Sequence, residues 1–216
     1  MIEKKSETEA SYDLVAEDYA AKYLSELDQK PFDRDLLAEF STALHGRGAV
    51  CDLGCGPGHI TRFLKDRGLD VRGIDLSGEM IQRARRVNPD IKFEQGDMTS
   101  LRLEHDLFAG IVCFYAIIHI PREGVRQALA EMNRVLKPGG ELLLALHGGE
   151  GSIRREEWYG RPVSLSVTLF DSEEMCGYLR DTGFEISKSL ARGPYDFEYP
   201  TQRLYVWAVR NEGATR

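Results

Sequence analysis

Short apolar segments recur about every twenty residues through the middle of the chain, and this spacing limits the possible folds more than any other feature of the sequence. The segments lie at residues 49–53, 71–74, 91–93, 111–114 and 142–146. Helical patterns fill most of the gaps, and the clearest has Val125, Leu129 and Met132 on one face. Repeated strand and helix units predict a parallel sheet with helices on both faces, because crossovers between parallel strands are almost always right-handed. The sequence therefore predicts an α/β fold with a doubly wound sheet.

The segment before the first strand is polar and has the spacing of helices. One helical stripe runs through Tyr12, Tyr19 and Tyr23, and a second follows it. We therefore predict that residues 1–45 form an N-terminal helical cap and that residues 46–216 form the core.

The segment after the fifth strand breaks the alternation. Residues 148–161 are rich in glycine, and strand-like runs follow at residues 184–186 and 204–209. Turn residues around Gly193 can return the final run in the opposite direction. We predict a seven-strand sheet with an antiparallel last strand and a lid-like insertion near residues 148–168.

Composition excludes several classes of protein. A net charge of -7 and a pI of about 5.3 disfavour phosphate backbones, so we expect no nucleic-acid partner. The sequence has neither an apolar leader segment nor the run of about eighteen apolar residues that a membrane span needs, so we expect a cytoplasmic protein with no membrane partner. The four cysteines are scattered, which predicts neither a metal site nor a disulfide framework.

A glycine-rich turn joins the first strand to the helix that follows it. The turn reads Asp-Leu-Gly-Cys-Gly-Pro-Gly over residues 52–58. Glycines let a ligand approach the backbone closely, and the first N–H groups of the helix suit a carboxylate or a phosphate. Such a turn alone is a weak signal of a ligand site.

Two further acidic residues follow strands, which makes the pattern more specific. Asp75 ends the second strand, where an acid can accept hydrogen bonds from both ribose hydroxyls. Asp97 lies just past the third strand, within reach of an adenine amino group. The carboxyl ends of parallel strands meet at one edge of a sheet, so these loops predict a site for a nucleoside. The alternative is that the carboxylates only cap turns.

With these motifs in order, the chain resembles the class I S-adenosylmethionine-dependent methyltransferases over about residues 10–210. The strings VCDLGCGPGHI, GIDLS, EQGDM and LKPGGELLLAL are similar to successive motifs of that family. The resemblance implies a Rossmann-like fold, S-adenosylmethionine as cofactor and S-adenosylhomocysteine as product.

The resemblance also implies roles for individual residues of the cofactor site. The methionine end lies at Asp52 and the glycine turn, the ribose at Asp75, and the adenine beside Asp97 between two apolar residues, with an N-terminal tyrosine closing over the cofactor. The predicted cofactor-binding residues are Tyr19, Asp52, Gly54, Cys55, Gly56, Asp75, Leu76, Gly96, Asp97, Met98 and Cys113. The alternatives are core packing for Leu76 and Met98 and helix packing for Tyr19.

The acceptor side offers candidate bases and a candidate lid. His147, His119 and Tyr115 follow the fifth and fourth strands and are the candidate catalytic residues, although His119 also suits a role in fixing its loop. The predicted substrate-binding residues are Glu150, Trp158 and Tyr159. The loop after the fourth strand lacks an Asn or Asp followed by Pro-Pro and an aromatic residue, so the resemblance favours a small-molecule acceptor methylated on oxygen or nitrogen.

Two other functions stay open at this point. A noncatalytic S-adenosylmethionine-binding sensor or scaffold would carry the same cofactor motifs. A nicotinamide-dependent oxidoreductase would share the glycine turn and the distal acid, but its glycines are spaced Gly-x-Gly-x-x-Gly, whereas Gly54, Gly56 and Gly58 alternate. We expect a monomer or a homodimer.

Overall fold

The structure is a computed structural model, and it describes residues 6–212 of the chain. The helices are α1 (Glu7–Tyr23), α2 (Pro31–Leu44), α3 (His59–Asp66), α4 (Gly78–Val87), α5 (Arg122–Val135) and α6 (Ser172–Asp181). The strands are β1 (Val50–Leu53), β2 (Val71–Asp75), β3 (Lys92–Gln95), β4 (Phe108–Phe114), β5 (Leu136–Gly148), β6 (Ser152–Trp158), β7 (Arg161–Thr168), β8 (Phe184–Arg192) and β9 (Gln202–Arg210). Two short 3-10 helices, Glu26–Asp28 and Ile117–His119, complete the regular elements.

Seven of the strands form one sheet in the order β3-β2-β1-β4-β5-β9-β8. The pairs from β3 through β5 are parallel, and β9 runs antiparallel to both β5 and β8. The predicted doubly wound seven-strand sheet with an antiparallel last strand is therefore confirmed. The last strand does not lie at the edge of the sheet, because it is inserted between β5 and β8.

Both faces of the sheet are covered by helices. On one face, α5 and α6 bury residues such as Leu129, Met132 and Leu179 against the sheet, with α5 on β5 and α6 on β8 and β9. On the other face, α2 and α3 bury residues such as Phe40 and Leu64. These two layers hold the carboxyl ends of β1, β2, β3 and β4 at one edge of the sheet, where the predicted site residues lie.

The first helix, α1, packs differently from α2. It contacts α4 and β7, and its Val15 is buried against Val163 and Leu165 of β7. The helix therefore lies across the carboxyl edge of the sheet. Among the helices of the described residues, none is long and apolar enough to cross a membrane.

The glycine-rich segment expected to form a lid-like insertion is a β-hairpin of β6 and β7. Its two-residue turn is formed by Tyr159 and Gly160, with φ values of 53° and 70°. Left-handed φ at both positions matches the twist of a tight hairpin. The two strands are hydrogen-bonded to each other and pack on α1. The hairpin and α1 therefore form two adjacent walls at this edge of the sheet.

Candidate active site

The glycine turn after β1 brings its backbone against the neighbouring loop. Gly54, Gly56 and Gly58 all have left-handed φ, at 78°, 52° and 84°. A Cβ atom at Gly54 would lie 2.1 Å from the Cβ of Ala116 in the loop after β4. A side chain at Gly54 would therefore displace one of the two loops that form the site.

Asp75 joins β2 to this turn. Its Oδ2 accepts a hydrogen bond from the backbone N–H of Gly56 at 2.8 Å, and its Oδ1 accepts one from the N–H of Ser77 at 2.8 Å. Burial is the main cause that raises the pKa of Asp75 to about 6. Each carboxylate oxygen can accept a further bond, so Asp75 can still receive two hydroxyl donors.

Asp52 lies deeper than Asp75. It is only 1% exposed, and its Oδ2 accepts a hydrogen bond from the Thr61 hydroxyl of α3 at 2.6 Å. Burial raises the pKa of Asp52 to about 6. The carboxylate lines neither of the two cavities described below. Asp52 therefore supports the glycine turn from underneath, and its contact with a ligand would need the backbone or a water molecule as intermediary.

A first cavity of about 1190 Å³ opens beside Asp75. It brings together most of the residues predicted to bind the cofactor, which come from different loops. These are Tyr19, Gly54, Gly56, Asp75, Leu76, Gly96, Asp97 and Met98. Asp97 accepts bonds from the backbone and hydroxyl of Thr99 through Oδ1 alone, at 2.8 and 2.7 Å.

A second cavity of about 700 Å³ lies on the other side of the glycine turn. Its walls come from α1, from the β6–β7 hairpin and from the segment between β8 and β9, and its floor includes Tyr115 and His147. The two cavities share seven lining residues: Tyr12, Tyr19, Gly54, Gly56, Phe114, Tyr115 and His119. Ligands in the two cavities would therefore meet at the glycine turn.

Aromatic residues of α1 and the hairpin form the wall above this junction. The Trp158 ring lies 5.4 Å from the Tyr19 ring and 5.8 Å from the Tyr12 ring, both edge to face. Tyr159 stacks on Trp158 with centroids 5.3 Å apart. Trp158 lines the second cavity, whereas Tyr159 supports it from behind. Glu150 is exposed and lines neither cavity.

Both ring nitrogens of His119 are engaged. The carbonyl oxygen of Ser166 can only accept, so Nδ1–H donates to it at 3.0 Å and Nε2 accepts from the Tyr12 hydroxyl at 2.7 Å. Burial lowers the pKa of His119 to about 4. The residue therefore ties α1 to the hairpin, which agrees with the loop-fixing alternative and leaves little capacity to accept a proton.

His147 and Tyr115 are also poor bases in this arrangement. Burial and the nearby Arg203 cation lower the pKa of His147 to about 3, and its Nδ1 lies 2.7 Å from the Thr201 hydroxyl. The Tyr115 hydroxyl donates to Asp33 at 3.1 Å, and burial raises its pKa well above the usual value. Tyr115 also has a left-handed φ of 54°, a strained conformation that turns its ring toward the junction of the cavities.

The two cysteines predicted to bind the cofactor differ in position. Cys55 lines the second cavity, and burial raises the pKa of its thiol well above the ordinary value. Cys113 is buried in β4 and lines neither cavity. Both thiols therefore fill space beside the glycine turn and beneath it. Among residues 6–212, no group of three His, Cys, Asp or Glu side chains could hold a metal ion.

Sequence reasoning missed a set of charged residues in the second cavity. They are Lys22, Glu26, Lys30, His59, Arg155, Glu198 and Arg203. Lys30 and Glu26 form an ion pair at 2.8 Å, but Glu26 lies in a 3-10 helix and Lys30 precedes α2, so no continuous helix indicated the pair in the sequence. Arg155 shares one face of β6 with Ile153, two residues earlier, but a strand had to be recognised there first.

Comparisons with known proteins bear on the family and the fold. Residues 50–140 match the family described as "Methyltransferase domain". The chain is 32% identical over 143 residues to the demethylmenaquinone methyltransferase of Renibacterium salmoninarum, covering 66% of this chain and 59% of that protein. It is 37% identical over 133 residues to the trans-aconitate 2-methyltransferase of Methylobacterium nodulans, covering 59% of this chain and 48% of that protein. The chain thus spans about half the length of these curated relatives.

A solved structure extends the likeness to the whole fold. The magnesium protoporphyrin IX methyltransferase of Synechocystis, solved with bound S-adenosylmethionine, superposes with a TM-score of 0.71 at 16% identity, covering 98% of this chain and 100% of that chain. The fold is the Rossmann-like fold of class I methyltransferases. The family match, the curated relatives and the shared fold together support a class I S-adenosylmethionine-dependent methyltransferase with S-adenosylmethionine as its cofactor.

Proposed function

We propose that this protein transfers the methyl group of S-adenosylmethionine to an oxygen or nitrogen atom of a small molecule bound in the second cavity. The observation that carries the proposal is that the two cavities meet at Gly54, Gly56 and Tyr115. A cofactor whose nucleoside lies in the first cavity would present its sulfonium at this junction. An acceptor in the second cavity could then approach the methyl carbon from the side opposite the sulfur.

The first cavity suits the nucleoside in its chemistry as well as its size. Asp75 would accept the two ribose hydroxyls, and the free oxygen of Asp97 would accept from the adenine amino group. Leu76 and Met98 would enclose the ring by apolar contact. The backbone of the glycine turn would lie along the methionine end.

The residues at the junction would act by position and by excluding water. S-adenosylmethionine supplies an activated methyl group, so alignment of the two reactants contributes much of the acceleration. The wall of Tyr12, Tyr19 and Trp158 would cover both reactants, and removing water from around a sulfonium strengthens its attraction for an electron pair.

A small acceptor agrees with the walls of the second cavity and with the relatives. Helix α1 and the hairpin enclose the cavity, which leaves a volume of about 700 Å³. The names of the relatives refer to demethylmenaquinone and trans-aconitate, which are small molecules of unlike chemistry. The acidic chain disfavours a nucleic-acid acceptor.

Two measurements test the proposal. S-adenosylhomocysteine should raise the melting temperature, since a ligand held only by the native state adds about 2.7 kcal/mol at a hundredfold excess over Kd. Asp75→Ala should lose most of this shift, whereas Asp90→Ala, which removes an exposed carboxylate paired with Arg62, should keep it. Transfer of a labelled methyl group to a metabolite panel then distinguishes an enzyme from a noncatalytic sensor. Binding without transfer to any small molecule would refute the enzymatic function.

A further inference from the structure

The second cavity carries an excess of positive charge. Its lining includes the cations Lys22, Lys30, Arg155 and Arg203 and the carboxylates Glu26 and Glu198. The chain as a whole has a net charge of -7. A locally positive cavity in an acidic protein attracts an anion and concentrates it at the site.

Two of the cations are neutralised by contacts within the protein. Lys30 lies 2.8 Å from Glu26 and 3.4 Å from Glu198. Arg203 lies 3.4 Å from Glu198 and donates to the carbonyl oxygen of Thr201 at 2.6 Å. These groups hold the floor of the cavity together, and an incoming anion would have to compete with their present partners.

Arg155 differs from these cations. It is half-buried on the cavity side of β6, and its guanidinium carbon lies 5.1 Å from the centroid of the Trp158 ring. Within residues 6–212 it forms no ion pair with a carboxylate. The preceding residue, Arg154, faces away from the cavity and pairs with Glu156 at 3.3 Å. Arg155 is therefore a cation held at the cavity wall with its ion-pairing capacity unused.

His147 adds a donor to the floor. Arg203 donates to the Thr201 hydroxyl oxygen at 2.7 Å, and we assign the hydroxyl proton to the 2.7 Å contact with Nδ1 of His147. A neutral imidazole that accepts at Nδ1 carries its proton on Nε2. The ring therefore presents an N–H donor to the cavity. A donor of this kind binds an anion, whereas an unprotonated ring nitrogen would accept a hydrogen bond from a hydroxyl.

We propose that the methyl acceptor is a carboxylate anion, held in the second cavity by Arg155 with the Nε2–H of His147 as a further donor. This inference rests on the proposed function. One carboxylate oxygen attacks the methyl carbon, a C–O bond forms, and the C–S bond breaks with its electron pair passing to sulfur. The products are a methyl ester and neutral S-adenosylhomocysteine, and no proton is transferred. The reaction therefore needs none of the three candidate bases.

The charges explain why such a step suits this cavity. A carboxylate and a sulfonium attract each other more strongly where water is excluded, and transfer removes both charges. The neutral ester cannot form the ion pair with Arg155, so the product binds more weakly than the substrate. The same group that captures the acceptor would thus favour exchange of product for fresh substrate.

Binding to the complex with S-adenosylhomocysteine tests the charge preference. Benzoate, hexanoate and succinate are titrated by calorimetry beside benzamide, hexanamide and succinamide. At least one acid should bind tenfold or more tightly than its amide. Arg155→Met should remove this preference, and Arg154→Met should leave it unchanged. Equal binding of every pair, or no binding of any acid at millimolar concentration, would overturn the proposal.

Two further readouts separate this inference from the proposed function. If Arg155→Met weakens S-adenosylhomocysteine as much as it weakens the acids, Arg155 holds the cofactor's carboxylate and the inference is wrong. A labelled methyl group transferred to an acid forms a methyl ester. Alkali should hydrolyse this ester and release the label as volatile methanol. Transfer only into alkali-stable products would refute the carboxylate acceptor while leaving methyl transfer established. Absence of both cofactor binding and transfer would instead refute the proposed function.

Discussion

The affinity for S-adenosylhomocysteine should fall as the pH drops below about 6, because Asp75 must be ionised to hold the ribose. In the free protein, burial raises the pKa of Asp75 to about 6. Ribose hydroxyls would donate to the carboxylate and stabilise its charged form, which lowers the pKa in the complex. Binding near this pH should therefore release a proton.

The magnitude follows from the shift in pKa. A return of the pKa of Asp75 from about 6 to its ordinary value of 3.8 in the complex corresponds to about 3 kcal/mol of binding free energy, at 1.36 kcal/mol per pKa unit. Affinity should be nearly constant above about pH 7, then fall by up to about tenfold per pH unit, with a total loss of about a hundredfold.

The raised pKa of Asp75 makes the stability of the free protein depend on pH in the direction opposite to the affinity for S-adenosylhomocysteine. Because the pKa is higher in the folded state than in the unfolded chain, the contribution of Asp75 to stability is complete below pH 3.8 and is lost as the pH rises to about 6. The cofactor should therefore stabilise the protein most at neutral pH, where the empty site is least favourable.

Calorimetric titration in two buffers of different ionisation enthalpy measures both the affinity and the released proton. Asp75→Asn should bind weakly with little pH dependence. Asp52→Asn is the matched control, because burial raises the pKa of Asp52 to a similar value but the carboxylate is bonded to Thr61 outside both cavities. Wild-type affinity that is flat from about pH 7 to about pH 4.5, or a pH dependence that survives in Asp75→Asn, would refute the reasoning.

Three further changes test other parts of the site. Gly54→Ala should abolish cofactor binding, because the new Cβ would lie 2.1 Å from the Cβ of Ala116. Gly160→Ala is its control, because Gly160 has a similar left-handed φ with open space around it. This change should cost only about 1 to 2 kcal/mol of stability in thermal unfolding. His147→Gln should keep turnover within about tenfold because an amide can still donate, and a loss near a hundredfold would restore a general base to the mechanism. Trp158→Ala should raise the Michaelis constant for the acceptor more than it changes S-adenosylhomocysteine affinity measured by calorimetry, and equal changes would place the indole over the cofactor.

The clustering of the predicted cofactor-binding residues at one edge of the sheet could be predicted from sequence because its signals are local. Gly54, Asp75 and Asp97 each lie at or just past the carboxyl end of a strand, and a parallel sheet brings these ends together whatever the loops do. Asp52 shows the limit of this reasoning. The sequence indicates that it lies near the end of β1, but only the packing of α3 reveals that Thr61 occupies its carboxylate.

The acceptor side could not be predicted because its properties arise from contacts between distant segments. Residues 152–158 contain four charged side chains, so the strand has little apolar alternation, and its pairing with β7 and packing on α1 determine which way Arg155 faces. His147 looks like a base in sequence. Its protonation state depends on Thr201 and Arg203, which lie more than fifty residues later in the chain.

The place of β9 inside the sheet has a consequence for how the protein is made. The strand formed by Gln202–Arg210 leaves the ribosome after the other six strands of its sheet, yet β5 and β8 both pair with it and not with each other. Until it arrives, a nascent chain exposes an unpaired edge along β5, with β8 left without a neighbour in the sheet. Premature termination before residue 202 would leave that edge open permanently, so such fragments should be recruited by chaperones and proteases although every residue of the nucleoside site is present.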